Sequence, residues 1–138
     1  MNKFFSIFLI IANCLLFGID ESIQTERNIS PTIEIRYDDF LNDMSPSSTI
    51  GLIFDIDENR YTGFDVNTGD NETRLLLGWG WTVLGVGTKE LDDTSMISIF
   101  SFGVKYEVLE SMHSTVEYVM IDDPAFKDYL RLSIGVKF

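Results

Sequence analysis

A few short stretches of the chain hold residue types that could do chemistry. His113, the single histidine, is followed directly by Ser114 and then by Glu117. A hydroxyl, an imidazole base and an orienting carboxylate are the parts of a hydrolase. Adjacent residues of an extended chain point to opposite faces, so His113 and Ser114 do not meet if this segment is a strand. A turn or interfacial histidine, with no catalysis, is the expectation. In DIDENRYTGFDV, Asp55, Asp57 and Asn59 stand at positions 1, 3 and 5 of an EF-hand loop, but Arg60 replaces the turn glycine and Val66 the bidentate acid. These acids read instead as interior groups running into a hairpin turn. NTGDNE (67–72) and ELDDT (90–94) concentrate further acids, where solvated loop charge is the default and weak divalent-cation binding the sharper alternative. Trp79 and Trp81 could stack on a sugar, although a membrane-interface belt suits them better. There is no phosphate-binding glycine loop, zinc spacing or basic stripe, so neither a cofactor nor a metal is expected.

Charge and length bound the class of partner. The 138 residues carry 22 acids against 10 basic groups, a net charge of −12 that disfavours nucleic acid. The first 18 residues, MNKFFSIFLIIANCLLFG, read as a cleavable signal peptide: Lys3 is its basic start, and the apolar stretch from Phe4 to Phe17 is too short for a membrane helix. Lipoprotein processing at Cys14 is a weaker reading, because Asn13 stands where a small residue belongs. Cleavage near Gly18 removes Lys3 and the only cysteine, leaving one domain over residues 19–138 with 9 basic groups against 22 acids and a net charge of −13.

The segments that must position any site show almost no helical periodicity. They alternate instead. Ile33, Ile35 and Tyr37 oppose Glu34, Arg36 and Asp38. Ile50, Leu52, Phe54 and Ile56 oppose Gly51, Ile53, Asp55 and Asp57. Leu75, Leu77, Trp79, Trp81 and Val83 oppose Arg74, Gly78, Gly80 and Thr82, and Phe100 to Val108 alternate with Ser101, Gly103, Lys105 and Glu107. In the last strand Leu130, Leu132, Ile134, Val136 and Phe138 oppose Arg131, Ser133, Gly135 and Lys137. Glycines inside strands on the polar faces suit a crowded interior better than exposure to water. Charges of both signs on those faces, Arg36, Arg74, Lys105 and Arg131 with Asp55, Asp57, Glu107 and Glu117, predict a paired internal network. Aromatics on the apolar faces, with Trp79, Trp81, Tyr106 and Tyr118 foremost, predict a belt.

A signal peptide, alternating strands and a terminal strand that ends on Phe138 resemble the bacterial outer-membrane β-barrels, particularly the small eight-stranded members of the OmpA and OmpX type. Val136 departs from the class, which commonly has an aromatic there. The resemblance implies an all-β, antiparallel, up-and-down transmembrane β-barrel of eight strands. It implies outer-membrane lipid and the barrel assembly machinery as partners, and a structural, surface-contact or limited-permeation role rather than an enzyme. Seven clear runs are visible, so the fourth (73–88) is divided at Gly80 into TRLLLGW and WTVLGVGT. The loops then alternate long and short, and the closing strand pairs with 32–38. The alternatives are a soluble periplasmic or secreted lipocalin-like barrel that binds an apolar ligand, with the same apolar faces turned inward, and a barrel-embedded lipid-modifying enzyme.

Overall fold

Strands with one apolar and one polar face must bury one of them, and a single sheet does so by closing on itself. In the computed structural model, which describes residues 28–138, the chain forms eight strands and no helix. They are β1 (Ile29–Asp38), β2 (Pro46–Asp55), β3 (Arg60–Asn67), β4 (Glu72–Trp79), β5 (Thr82–Glu90), β6 (Met96–Leu109), β7 (Met112–Ile121) and β8 (Tyr129–Lys137). Each pairs antiparallel with its neighbour in sequence, and β8 returns to β1 with Thr32 opposite Lys137 and Asp38 opposite Arg131. The product is a closed up-and-down barrel. The signal-peptide reading and Cys14 lie outside the described residues.

The register shows how steeply the strands lie. Starting at Leu130 near the top of β8, a ring of paired residues runs through Tyr118, Phe102, Leu84, Leu77, Thr62 and Phe54 to Ile29. Ile29 precedes Thr32, the partner of Lys137, so the ring returns to β8 below its last paired residue. A stagger of this size accompanies a strand tilt of about 35–45°.

The long run 73–88 is two strands. Trp79 pairs with Thr82, leaving Gly80 and Trp81 as the central residues of a tight hairpin, and Gly80 adopts φ +58°. A glycine at the first central position is what a type II′ hairpin requires. The turn also reverses the face assignment read from unbroken alternation: Val83 points inward and is buried, Thr82 points outward, and Trp81 stands in the turn itself. Connections 56–59, 80–81 and 110–111 lie at one end with Asn28 and Phe138, and 39–45, 68–71, 91–95 and 122–128 lie at the other. The contrast in length is weaker than expected, because β3 and β4 consume Asn67 and Glu72 and leave 68–71 no longer than 56–59. On the β7 side, pairing shifts by one residue between Glu107 and Leu109, a bulge that ends β6.

Glycines in the strands mark close approaches. A Cβ at Gly103 would lie 2.0 Å from the carbonyl oxygen of Val116, and one at Gly78 would lie 1.8 Å from Cε1 of Tyr61. The Tyr61 ring therefore lies across the backbone of β4.

Candidate functional site

Inward-facing positions of β1, β3, β4, β7 and β8 converge on one ionic network. Arg36 donates from Nη1 to Glu72 Oε1 (3.0 Å) and from Nη2 to Asp65 Oδ2 (3.1 Å). Arg74 donates from Nε and Nη2 to the two oxygens of Asp65 (3.1 and 2.7 Å), a bidentate pair, and from Nη1 to Glu117 Oε1 (2.9 Å). Ser101 on β6 donates to the same Glu117 oxygen at 2.8 Å. Arg131 grips Glu72 with Nη1 and Nη2 (both 2.9 Å) and Asp38 with Nε and Nη2 (2.6 and 3.0 Å), while the Tyr129 hydroxyl donates to Asp38 at 3.1 Å. Arg36, Arg74, Arg131, Asp65, Glu72 and Glu117 are all buried. Charges removed from water are tolerated only when paired and hydrogen-bonded this thoroughly. Arg36 Nε and Ser133 Oγ, on cross-strand neighbours, are the buried side-chain atoms among the described residues that make no protein hydrogen bond.

The eight charged residues expected to form one network thus divide. Arg36, Arg74, Arg131 and Glu117 lie within it. Lys105, Asp55 and Glu107 share the inward face but sit nearer the short-turn end, and Asp57 lies outside the lumen in the β2–β3 turn. Asp57 pairs with Arg60 (2.5 Å) and accepts backbone N–H bonds from Asn59 and Arg60 (2.9 and 2.8 Å). The Arg60 side-chain bond, aided by those N–H groups, holds its carboxyl below the usual carboxylate range. Its parity extrapolates that of Asp55, but the strand ends there and the turn redirects it.

Asp38, Asp65 and Glu72 are network members outside those eight. Glu72 reads as a loop acid in NTGDNE, yet it is two residues before Arg74 and shares its face. That spacing was the available signal. Asn67, from the same stretch, is buried in the lumen and donates to Ser47 Oγ and Thr49 Oγ1. The interior also has an apolar sector formed by Leu76, Val83, Ile97, Ile99 and Val119.

Nearer the short-turn end the lumen opens into a blind mouth cavity of about 810 Å³. Ile53 and Tyr61 form its floor, and Asp55, Lys105, Glu107 and Lys137 stand on its inner wall. Lys137 pairs with Asp55 at 3.2 Å, and the Lys105 ammonium lies 4.6 Å from the Tyr61 ring centroid. His113 is buried with Nε2 2.8 Å from Glu34 Oε1, whereas Ser114 faces outward. The hydrolase parts are therefore separated, as alternation requires. Glu117, the third of them, is engaged by Arg74 and Ser101. Asp55 is engaged by Lys137 and Asp57 by Arg60, and no group of three or more His, Cys, Asp or Glu side chains among the described residues could hold a metal ion.

The outer surface is apolar. Leu130, Leu132, Ile134, Val136 and Phe138 all face outward, and Phe138 N–H donates to Pro31 O at 3.0 Å, tying down the end of the chain. The aromatics do not form one belt. Trp79, Trp81, Tyr106 and Phe138 are exposed at the short-turn end, whereas Tyr118 sits toward the other end, its ring tilted 54° against that of Phe102 (centroids 5.7 Å apart) and its hydroxyl donating to Asp128 of the β7–β8 loop (3.0 Å).

No family model and no curated protein matches this chain. One solved structure, described as "De novo design of transmembrane beta-barrels", is similar at a TM-score of 0.49 and 13% sequence identity, over 83% of this chain and 98% of that one.

Proposed function

We propose that the protein is a small outer-membrane β-barrel, non-catalytic, with a structural, surface-contact or limited-permeation role. One observation carries this reading: burial is inverted relative to a water-soluble barrel. Arg36 and Arg131 are 0% exposed and Glu72 is 0% exposed, while Ile50 is 56%, Leu75 56%, Val104 54% and Trp81 80% exposed. An exposed apolar wall of this extent is costly in water and favourable against hydrocarbon, and closure leaves no unpaired sheet edge along the barrel wall. A soluble lipocalin-like barrel would turn its apolar faces inward around a ligand, so the inversion favours lipid.

The height of the band fits the reading. From Leu130 to Phe138 the outward face of β8 is apolar at every second residue. At about 3.3 Å per residue and a tilt near 40°, this covers about 20 Å along the axis, a little under the about 25 Å of outer-membrane barrels. The start of β1 and the end of β8 lie with the short turns, on the side that faces the periplasm in that class. Outer-membrane lipid and, during biogenesis, the barrel assembly machinery are the partners this reading brings.

Fractionation tests it. The mature protein is expected to stay in the membrane pellet through carbonate washing and to show heat-modifiable mobility in detergent. Leu132→Arg should cost up to about 2–4 kcal/mol if that face meets the bilayer midplane. Release by carbonate without detergent overturns the proposal.

A further inference from the structure

The geometry points to the mouth cavity as a binding site for a phosphoethanolamine-type group, with the phosphate held by Lys105 and the ammonium at the rim. Four facts lead there. The cavity is blind, since Tyr61 and Ile53 floor it and the buried ionic network lies beyond, so it receives a ligand rather than passing one. Two of its cations are already neutralised: Lys137 by Asp55 at 3.2 Å and Arg60 by Asp57 at 2.5 Å. Lys105 is not. It is half-buried with no carboxylate within 4.0 Å among the described residues, and its ammonium rests over the Tyr61 ring. Finally, the carboxylates without an ion-pair partner, Glu107 and Glu58, are exposed at the lip.

A half-buried cation without an anion is costly and gains most from a ligand that supplies one. Lys105 stands deeper than the exposed carboxylates of Glu107 and Glu58, with Glu34 and Asp55 attracting it only from beyond 4.0 Å, an order that suits an anion entering first with a cation behind it. Lys105 and Glu107 are two residues apart on one strand face, about 7 Å. That separation fits a phosphate and an ammonium spaced by two carbons, with one ionic contact at each end. Trp81 and Tyr106 form an aromatic lip beside them. The group could arrive as a free small molecule or as a lipid headgroup.

The test uses the full mature chain in a sugar-headgroup detergent, which brings no competing zwitterion. O-phosphoethanolamine should shift the NMR signals of Lys105 and Tyr61 saturably, and inorganic phosphate should bind at least tenfold more weakly. Lys105→Gln should weaken phosphoethanolamine binding at least tenfold and Lys105→Arg should restore it, both retaining heat-modifiable mobility. Glu107→Gln combined with Glu58→Gln should abolish the preference over inorganic phosphate while leaving phosphate binding in place. Nanodiscs of phosphatidylethanolamine, compared with phosphatidylglycerol, separate the sources: a shift specific to the former assigns the headgroup, and a shift only with the soluble probe assigns the free molecule. The proposal is overturned if no probe gives a saturable shift, if Lys105→Gln binds as well as wild type, or if phosphate and phosphoethanolamine bind equally.

Discussion

Arg131 shows what a single side chain does in a lumen filled by its neighbours. Its guanidinium joins Glu72 on β4 to Asp38 on β1, so one residue of β8 ties together strands on either side of the closure. The pairing itself contributes little net stability, because bringing three arginines and their acids out of water offsets most of the Coulomb attraction. Breaking it is another matter. Arg131→Met leaves the half-buried Asp38 and one oxygen of the buried Glu72 without their cation, and the expected loss is about 3–5 kcal/mol, read from urea unfolding in detergent by tryptophan fluorescence. Glu58→Gln, on the exposed rim, should stay within about 0.5 kcal/mol of wild type in the same experiment. Equal effects would mean that the network does not hold the barrel together. Arginine is the suitable cation here, since its planar fork satisfies two carboxylates from one position.

Within the elements, turn chemistry and close approach matter more than strand propensity. Gly80 sits at φ +58°, where a Cβ has no clash with its surroundings but the left-handed backbone costs about 1–2 kcal/mol for other residues. Gly103 has ordinary extended backbone, yet a side chain there would run into the carbonyl of Val116. The two substitutions should therefore separate. Gly80→Ala is expected to fold with a modest loss of stability, whereas Gly103→Val should sharply reduce the heat-modifiable fraction, because β6 and β7 cannot keep their spacing. A Gly103→Val variant that assembles normally would show the interior to be looser than these distances imply. The same hairpin logic explains why alternation through Trp79 and Trp81 misled the face assignment of Val83. A two-residue turn keeps the hydrophobic rhythm while the chain reverses.

At the scale of the molecule, an eight-stranded barrel has an interior just wide enough for side chains, and this one fills it with the ionic network on one side and Leu76, Val83, Ile97, Ile99 and Val119 on the other. Such a lumen should pass no steady current. Reconstituted into a planar bilayer, the protein is expected to show no sustained channel openings at moderate voltage, and stable openings in every preparation would exclude a sealed interior. Limited permeation would then have to proceed through rearrangement of the network. The mouth cavity lies outside this seal, which is why it can be open and charged without making the barrel a pore.

Much of this architecture was legible along the chain. Period-two patterning carries strand identity and which face is apolar, because successive side chains of an extended backbone must alternate, and the strand count followed once Gly80 was read as a turn. The inward placement of Arg36, Arg74, Arg131 and Glu117 follows from the same local rule. Whether those charges meet does not. Glu72 joins Arg36 and Arg131 only because the stagger of the closed sheet brings β1, β4 and β8 to one level, and Asp57 leaves the lumen only because β2 ends two residues before it. The division of the aromatics between the two ends and the mouth cavity around Lys105 likewise depend on register and tilt. Alternation is a property of one strand, whereas pairing across the lumen is set by closure of all eight, and no local pattern encodes that geometry.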